Sequence, residues 1–166
     1  NSATGNGGGM YNYNSDGDGA SSPTLTGCTF TSNSADVSGG GMWTYSDSPT
    51  LTDCTFESNS AYRGGGMLNH DCSPTLTNCT FTSNSADTYG GGMRNVGDSI
   101  ASLTNTVVCG NTPDQISGAY TDNGGNCISD VCDSDADGTS DCDDNCPNDP
   151  NKTEPGDCGC GVEDID

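Results

Sequence analysis

The residues best suited to chemistry lie near the C-terminal end of the sequence. Oxygen donors occupy positions 1, 3, 5, 9 and 12 of a twelve-residue stretch, with Gly138 at position 6 and the Thr139 carbonyl at position 7. This is the spacing of an EF-hand calcium loop, with Asp in place of the final Glu. Carboxylates this close repel one another unless a cation neutralises them, so a merely solvated acidic run is the weaker interpretation. The predicted Ca²⁺ ligands are Asp133, Asp135, Asp137, Thr139, Asp141 and Asp144.

The segment after this loop adds cysteines to the acidic pattern. Residues 144–151 read DNCPNDPN. Together with the loop they resemble the thrombospondin type 3 repeat, from Asp130 to about Asn151. The resemblance implies a tail, residues 129–166, that wraps Ca²⁺ with almost no hydrophobic core and is held by disulfides. After residue 151 the pattern departs from the repeat, and Glu163, Asp164 and Asp166 look like the opening of another one.

Upstream of the tail, one sequence occurs three times. Residues 22–42, 48–67 and 73–93 share the segments SPTLT, CTF, SNSA and GGGM, and Cys28, Cys54 and Cys79 are spaced by 26 and then 25 residues. A fixed period of this length, rich in Gly, Asn and Thr, is typical of a solenoid. One period accommodates three short strands and three bends. The sequence therefore predicts an all-β fold, a parallel β-helix over residues 1–128 with about 25–26 residues per rung.

Alternation within the repeat predicts which side chains face the interior. Leu25 faces in, and a change of phase at residue 27 lets Cys28 and Phe30 face in as well. The residues at this corner tolerate a left-handed or turn conformation: Gly27, Asp53, Asn78 and Asn105. Stacked asparagines are expected to bond along the axis: Asn33, Asn59, Asn84 and Asn111. The interior is then made of columns of Leu, Cys, Phe and Met, with Thr106 and Val108 replacing Cys and Phe in the fourth rung.

The pattern FxxN, followed by GG and an aliphatic residue, resembles the repeats of bacterial polymorphic outer-membrane and surface proteins. The resemblance covers Asn1 to about Cys127. It implies a right-handed parallel β-helix. It says little about function, because adhesins, surface antigens and polysaccharide lyases all use this architecture.

Eleven cysteines in 166 residues indicate an oxidising compartment. Cys109 and Cys127 lie about one rung apart and form the preferred disulfide. At least two further bridges are expected in the tail, among Cys132, Cys142, Cys146, Cys158 and Cys160. The repeat cysteines Cys28, Cys54 and Cys79 are predicted to remain free thiols, since stacked side chains point in parallel directions.

The net charge of −21 excludes several classes of partner. With 24 acidic and three basic residues, no cationic surface can replace the counterions of nucleic acid. The same deficit argues against anionic membranes, and no apolar run is long enough to span a bilayer. The composition favours a secreted protein, and the resemblance to bacterial surface-protein repeats implies display on a cell surface.

Catalysis is not expected. The cationic side chains of the repeats are Arg63, His70 and Arg94, which occupy non-equivalent positions and are predicted to be exposed corner residues. Neither Asp71 nor Asp98 completes a paired-carboxylate constellation.

An aromatic patch is expected on one face of the solenoid, formed by Tyr11, Tyr13, Trp43 and Tyr45. Such a patch stacks on sugar rings or on a neighbouring subunit, or it only packs laterally. The loop between Met10 and Pro23 is expected to be solvated, with a weak cation site at Asp16 and Asp18 as the alternative.

We therefore expect a structural or adhesive surface protein. The alternatives are a carbohydrate-binding or polysaccharide-degrading β-helix and an ice-binding protein that uses its outward threonines. The latter is disfavoured because the corner at residue 27 divides the threonines between two faces. Asn1 aligns with Asn33 in the middle of a rung, so head-to-tail association of solenoid ends into fibres is a further expectation.

Overall fold

A computed structural model describes residues 1–15, 22–156 and 160–161. The chain divides into two compact units, residues 1–130 and 131–166. All the strands lie in the first unit, and the described residues contain no helix. Accordingly, no helical segment that could cross a membrane is found in the described part of the chain. Asp16, Asp18, Cys158, Glu163, Asp164 and Asp166 lie outside the described residues.

Four consecutive rungs carry four short strands each. The first contains β1 (Ser2–Ala3), β2 (Met10–Tyr13), β3 (Thr24–Thr26) and β4 (Thr29–Thr31), and the second contains β5 (Ser34–Ser38), β6 (Met42–Tyr45), β7 (Thr50–Thr52) and β8 (Thr55–Glu57). The third contains β9 (Ser60–Arg63), β10 (Met67–His70), β11 (Thr75–Thr77) and β12 (Thr80–Thr82), and the fourth β13 (Ser85–Tyr89), β14 (Met93–Val96), β15 (Ala101–Thr104) and β16 (Val107–Cys109). A last, partial rung has β17 (Ile116–Ser117), β18 (Tyr120–Asp122) and β19 (Cys127–Ser129).

Strands at the same place in successive rungs pair in parallel. They form four sheets, which we name A to D in the order in which each rung visits them. The predicted parallel β-helix is confirmed, and its register follows the repeat: Phe30, Phe56, Phe81 and Val108 are successive partners. The complete rungs have four strands where three were expected. The additional strand is that of sheet A, in which Ala35 and Ala61 are partners.

The interior consists of the predicted columns. The largest buried side chains include Met42, Leu51, Phe56 and Phe81. The phenylalanine rings stack face to face, with centroids 4.6 Å apart between Phe30 and Phe56 and 4.5 Å apart between Phe56 and Phe81. Burial of each such ring contributes about 1.5–3 kcal/mol. The first three rungs place the same residue types in the same columns, and Val108 stands at the Phe position of the fourth. Each rung therefore covers the core of its neighbour.

The asparagine ladder is also confirmed. Asn33 donates to Asn59 at 3.0 Å, Asn59 to Asn84 at 2.9 Å and Asn84 to Asn111 at 2.9 Å, from side-chain amide to side-chain carbonyl. These side chains are buried, and their bonds satisfy polar groups at a bend of the chain. The bend itself is made by left-handed residues just before each asparagine: Ser32, Ser58, Ser83 and Gly110, with φ between 53° and 61°. The predicted corner at Gly27, Asp53, Asn78 and Asn105 has the same conformation, with φ between 48° and 61°.

A second polar column, in sheet B, was not expected from the sequence. Asn12, Thr44, Asn69 and Asn95 are successive partners and are buried. The Asn12 amide donates to the Thr44 hydroxyl at 3.0 Å and to the Asp47 carboxylate at 2.9 Å, and the Asn69 amide donates to Asn95 at 2.8 Å. Only three of the four positions carry Asn, so the repeat does not mark this column as it marks the first.

The repeat cysteines are free thiols, as predicted. Cys28, Cys54 and Cys79 form no disulfide, and Cys72 is free as well. Burial raises the pKa of Cys72 to about 11 and that of Cys79 to about 11. The pKa of Cys54 is also raised, chiefly by burial. These three thiols are therefore neutral and shielded near pH 8, whereas Cys28 is only half-buried.

Alkylation tests this arrangement. With iodoacetamide at pH 8, we expect the native protein to be modified at Cys28 at least about tenfold faster than at Cys54, Cys72 or Cys79, because only thiolates in contact with solvent react. Peptide mass mapping of timed samples gives each rate, and Cys158 is followed by its own peptide. Denaturant should make all four rates similar. Equal rates at Cys28 and Cys79 in the native protein would contradict the buried column.

Candidate metal centre

The acidic loop of the second unit brings three carboxylates together. Asp133, Asp135 and Asp137 each place one carboxylate oxygen within 4.8 Å of the others. One residue separates each of these aspartates from the next, and this spacing lets their side chains converge on one side of a turning backbone. This separation suits several oxygens that share one cation, because oxygens at 2.3–2.6 Å from a Ca²⁺ ion lie within about 5 Å of one another.

Hydrogen bonds from the backbone hold the loop in shape. The two oxygens of Asp133 accept the amide N–H groups of Ala136 and Gly138, at 2.8 and 3.1 Å. Asp137 accepts the Thr139 amide N–H at 2.6 Å through Oδ1, and Asp135 accepts the Asp137 amide at 3.2 Å through Oδ1. The chain reverses at Ala136 and Gly138, where φ is 60° and 95°. The carboxylates are thus oriented by their own loop.

Two carboxylate oxygens lack any partner. Oδ2 of Asp135 and Oδ2 of Asp144 are both inaccessible to solvent and accept no hydrogen bond. Asp144 is only 7% exposed, and it lies close enough to Asp135 to raise the pKa of that carboxyl. Partial desolvation is the larger cause of the raised Asp135 pKa, and the charges of Asp137, Asp144 and Asp133 add to it. A buried, unpaired carboxylate is costly, and a cation among these oxygens removes that cost. The residues present therefore fit Ca²⁺.

The structure does not bring every expected ligand to this point. The Asp141 carboxylate accepts the Ser134 amide N–H at 2.7 Å and the Ser134 hydroxyl at 2.6 Å. Both of its oxygens are thus engaged by Ser134, in contrast to the orphaned oxygens of Asp135 and Asp144. Thr139 is positioned by its amide N–H, which donates to Asp137.

Disulfides hold the tail, whose described residues form turns and bends without strands. Cys146 is bonded to Cys160, with Cα atoms 5.4 Å apart. Cys132 and Cys142 are disulfide-bonded too, as are Cys109 and Cys127 near the end of the solenoid. The specific pair Cys109–Cys127 stays a prediction. Cross-links of this density compensate for the small hydrophobic core of the tail.

The cationic residues of the solenoid are arranged differently from the expectation. Arg63 belongs to β9 in sheet A, whereas His70 and Arg94 belong to β10 and β14 in sheet B. All three line one groove of about 290 Å³ at the junction of the two sheets. They are therefore neighbours along a shared surface and not separate corner residues. The repeat alone did not show this, because Arg63 precedes its glycine triplet and Arg94 follows its own.

The aromatic patch predicted from the first two repeats is present. Tyr11 stacks on Trp43 with ring centroids 4.7 Å apart, and Tyr13 stacks on Tyr45 at 5.2 Å. His70 contacts Tyr45 edge-on at 5.0 Å, which joins the patch to the groove.

The outward threonines lie on two separate sheets, C and D, and Glu57 interrupts one column of sheet D.

These features define a right-handed parallel β-solenoid followed by an acidic, disulfide-bonded tail. A family model described as a right-handed β-helix region matches residues 1–112, and the chain belongs to this family. Comparison with curated proteins and with solved structures finds no match. The more specific resemblances noted in the sequence, to polymorphic outer-membrane repeats and to the thrombospondin type 3 repeat, stay predictions.

Proposed function

We propose that this protein is a secreted or cell-surface solenoid with a structural or adhesive role, and that Ca²⁺ stabilises its tail. The observation that carries the calcium proposal is the convergence of Asp133, Asp135 and Asp137, in which Oδ2 of Asp135 is buried without a partner. The six disulfide-bonded cysteines in the described chain support an oxidising, extracellular location. The family itself includes proteins of many functions, so the proposal depends on the site and not on the fold.

A non-catalytic role is part of the proposal. A β-helix lyase requires a basic side chain and Ca²⁺-binding carboxylates in one groove. The groove that contains Arg63 and Arg94 has no Asp or Glu among its described lining residues. His70 faces Asp71 at 3.5 Å on the exposed surface.

Association between solenoids is the third part of the proposed function. Strands β2, β3 and β4 lie at the edges of sheets B, C and D. Edge strands present backbone donors and acceptors on which a further strand can pair. Contacts of this kind would align solenoids head to tail.

Chelation tests the calcium proposal. We expect EDTA to make the tail sensitive to protease while the solenoid stays resistant, because the Leu, Phe and Met core of the solenoid does not involve the acidic loop. Asp137→Asn keeps the shape of the side chain but removes a ligand charge, and should weaken Ca²⁺ binding by about tenfold or more in calorimetry. The matched control is Asp36→Asn, which removes an exposed carboxylate from the solenoid. Equal digestion of the tail with and without EDTA would refute a structural calcium ion.

A further inference from the structure

A column of three thiols runs along the interior of the solenoid. Cys28, Cys54 and Cys79 stand directly before β4, β8 and β12, which are successive neighbours in sheet D. Each thiol donates to the carbonyl oxygen two residues earlier in its own rung, at 3.6, 3.3 and 3.4 Å respectively. Because the same bond recurs in each rung, the three side chains have the same orientation. Each sulfur atom therefore lies next to the sulfur of the neighbouring rung.

The spacing of the rungs sets the distance between these sulfur atoms. In the adjacent column the ring centroids of Phe30 and Phe56 are 4.6 Å apart, and those of Phe56 and Phe81 are 4.5 Å apart. A metal–thiolate bond is about 2.3 Å long, so a cation held in line between two thiolates separates the two sulfurs by about 4.6 Å. The axial repeat of the solenoid thus matches a linear S–metal–S unit.

The first two thiols of the column are neighbours, and one of them is accessible. Burial is the main cause of the raised Cys54 pKa, and Cys28 raises this pKa further through its charge and through a hydrogen bond between the two side chains. Cys28 is half-buried, whereas Cys54 and Cys79 are each 1% exposed. A cation from solvent therefore reaches Cys28 and Cys54 before it reaches the pair formed by Cys54 and Cys79.

The surroundings of the thiols decide which cation suits them. In the described part of the chain, the acidic loop is the one place where three or more Cys, His or carboxylate ligands converge, so the thiol pair has no third ligand of this kind. Zn²⁺ requires four ligands and Ca²⁺ requires oxygens. Leu51 and Phe56 belong to the same apolar cluster as Cys54, and Leu25 and Phe30 pack against it. Two soft ligands in an apolar site favour a soft monovalent cation, for which Cu(I) is the biological example.

We propose that Cys28 and Cys54 bind one Cu(I) ion between them and so link the first two rungs of the solenoid. Each thiol that coordinates the ion releases its proton to solvent, and no electron is transferred. The Thr52 carbonyl then loses its S–H donor, but it keeps the Gly27 backbone N–H at 3.0 Å. The site lies in the solenoid, goes beyond the proposed structural role and is independent of the calcium loop.

Metal titration of the native protein tests the proposal. Under anaerobic conditions with equimolar glutathione, native mass spectrometry should show one Cu(I) per chain, because two thiols on one scaffold outcompete single thiols. Competition with a Cu(I) chelator should show an affinity that rises at least about tenfold for each unit of pH, since binding displaces at least one proton. Ag(I), which does not oxidise thiols, is the second probe. One equivalent of Ag(I) should slow the alkylation of Cys28 by iodoacetamide at least about tenfold.

Serine substitutions locate the site. Cys28→Ser and Cys54→Ser should each weaken Cu(I) binding by about a hundredfold or more, because one soft ligand then remains. A hydroxyl is compatible with this column, since the Thr106 hydroxyl occupies it in the fourth rung and donates to the Thr104 carbonyl at 3.1 Å. The matched controls are Cys79→Ser in the same column and Cys72→Ser outside it, and both should stay within about threefold of the parent protein.

The outcomes are distinct. Loss of binding in Cys79→Ser with retention in Cys28→Ser would overturn the assignment to the first pair. Transfer of the metal to glutathione would overturn the site itself, as would unchanged alkylation of Cys28 in the presence of Ag(I). The last measurement uses the unaltered chain, so it decides the question even where a variant fails to fold. The EDTA and protease test of the calcium loop has no thiol readout, so each proposal can fail without the other.

Discussion

Replacement of Gly65 by alanine is expected to destabilise the solenoid by about 3 kcal/mol or more. A Cβ atom at this position would meet the carbonyl oxygens of Ser85 and Gly91, the latter at 2.6 Å. Both are backbone atoms of the next rung, and neither can retreat without breaking the parallel ladder. Gly65 itself does not have a left-handed φ. The expected cost is therefore one of close approach between rungs and not of backbone strain.

Urea denaturation followed by circular dichroism measures this effect. The matched control is Gly5→Ala, because nothing lies within 4 Å of a Cβ at Gly5 and its φ is not left-handed. We expect this control to change the free energy of unfolding by no more than about 0.5 kcal/mol. Similar stabilities for the two variants would show that the rungs are not packed as closely as the structure indicates.

Replacement of Asn84 by alanine is expected to cost about 3 kcal/mol, because it interrupts the asparagine ladder in its middle. The Asn84 amide donates to Asn111 and to the Phe56 carbonyl, both at 2.9 Å. Its Oδ1 accepts the Asn59 backbone N–H at 3.0 Å and the Asn59 side-chain amide at 2.9 Å. Removal leaves buried donors and acceptors unpaired on both neighbouring rungs, at about 1–3 kcal/mol for each unsatisfied group.

Thermal and urea unfolding of the variant give the magnitude. Asn123→Ala makes the same substitution at an exposed position of the solenoid and should stay within about 0.5 kcal/mol of the parent protein. If Asn84→Ala unfolds at the same urea concentration as Asn123→Ala, the ladder does not contribute to stability. Asn84→Asp gives a further check, since it keeps the acceptor and loses the two amide donors.

Several features of the fold were predictable because they depend on local residue type and on the period. Identical repeats that stack place each residue on its own copy, so Phe56 had to meet Phe30 and Phe81. The corner at Asp53 and Asn78 was recognisable because both residue types tolerate a left-handed φ. Asn59 and Asn84 were identified as a ladder because they recur at the same position of the repeat.

Other features depended on how the chain folds in three dimensions. The bend expected at the stacked asparagines is present, with its left-handed residues at Ser58 and Ser83. Serine does not mark a left-handed conformation, and the fourth strand of each rung was not predicted. In the acidic loop, spacing alone could not show that Ser134 engages Asp141 while Asp144 keeps an unpaired oxygen. That difference is set by the path of the backbone around the loop.

The sequence by itself determined the parallel β-helix, its core columns and the acidic loop, because these follow from periodicity and from the chemistry of neighbouring residues. Only the tertiary structure decided the composition of the groove. Arg63 and Arg94 lie 31 positions apart in the sequence, on opposite sides of their glycine triplets and in different rungs. Both line one groove because sheets A and B adjoin there and because parallel stacking brings successive rungs to about 4.8 Å from each other. No local pattern encodes this shared groove.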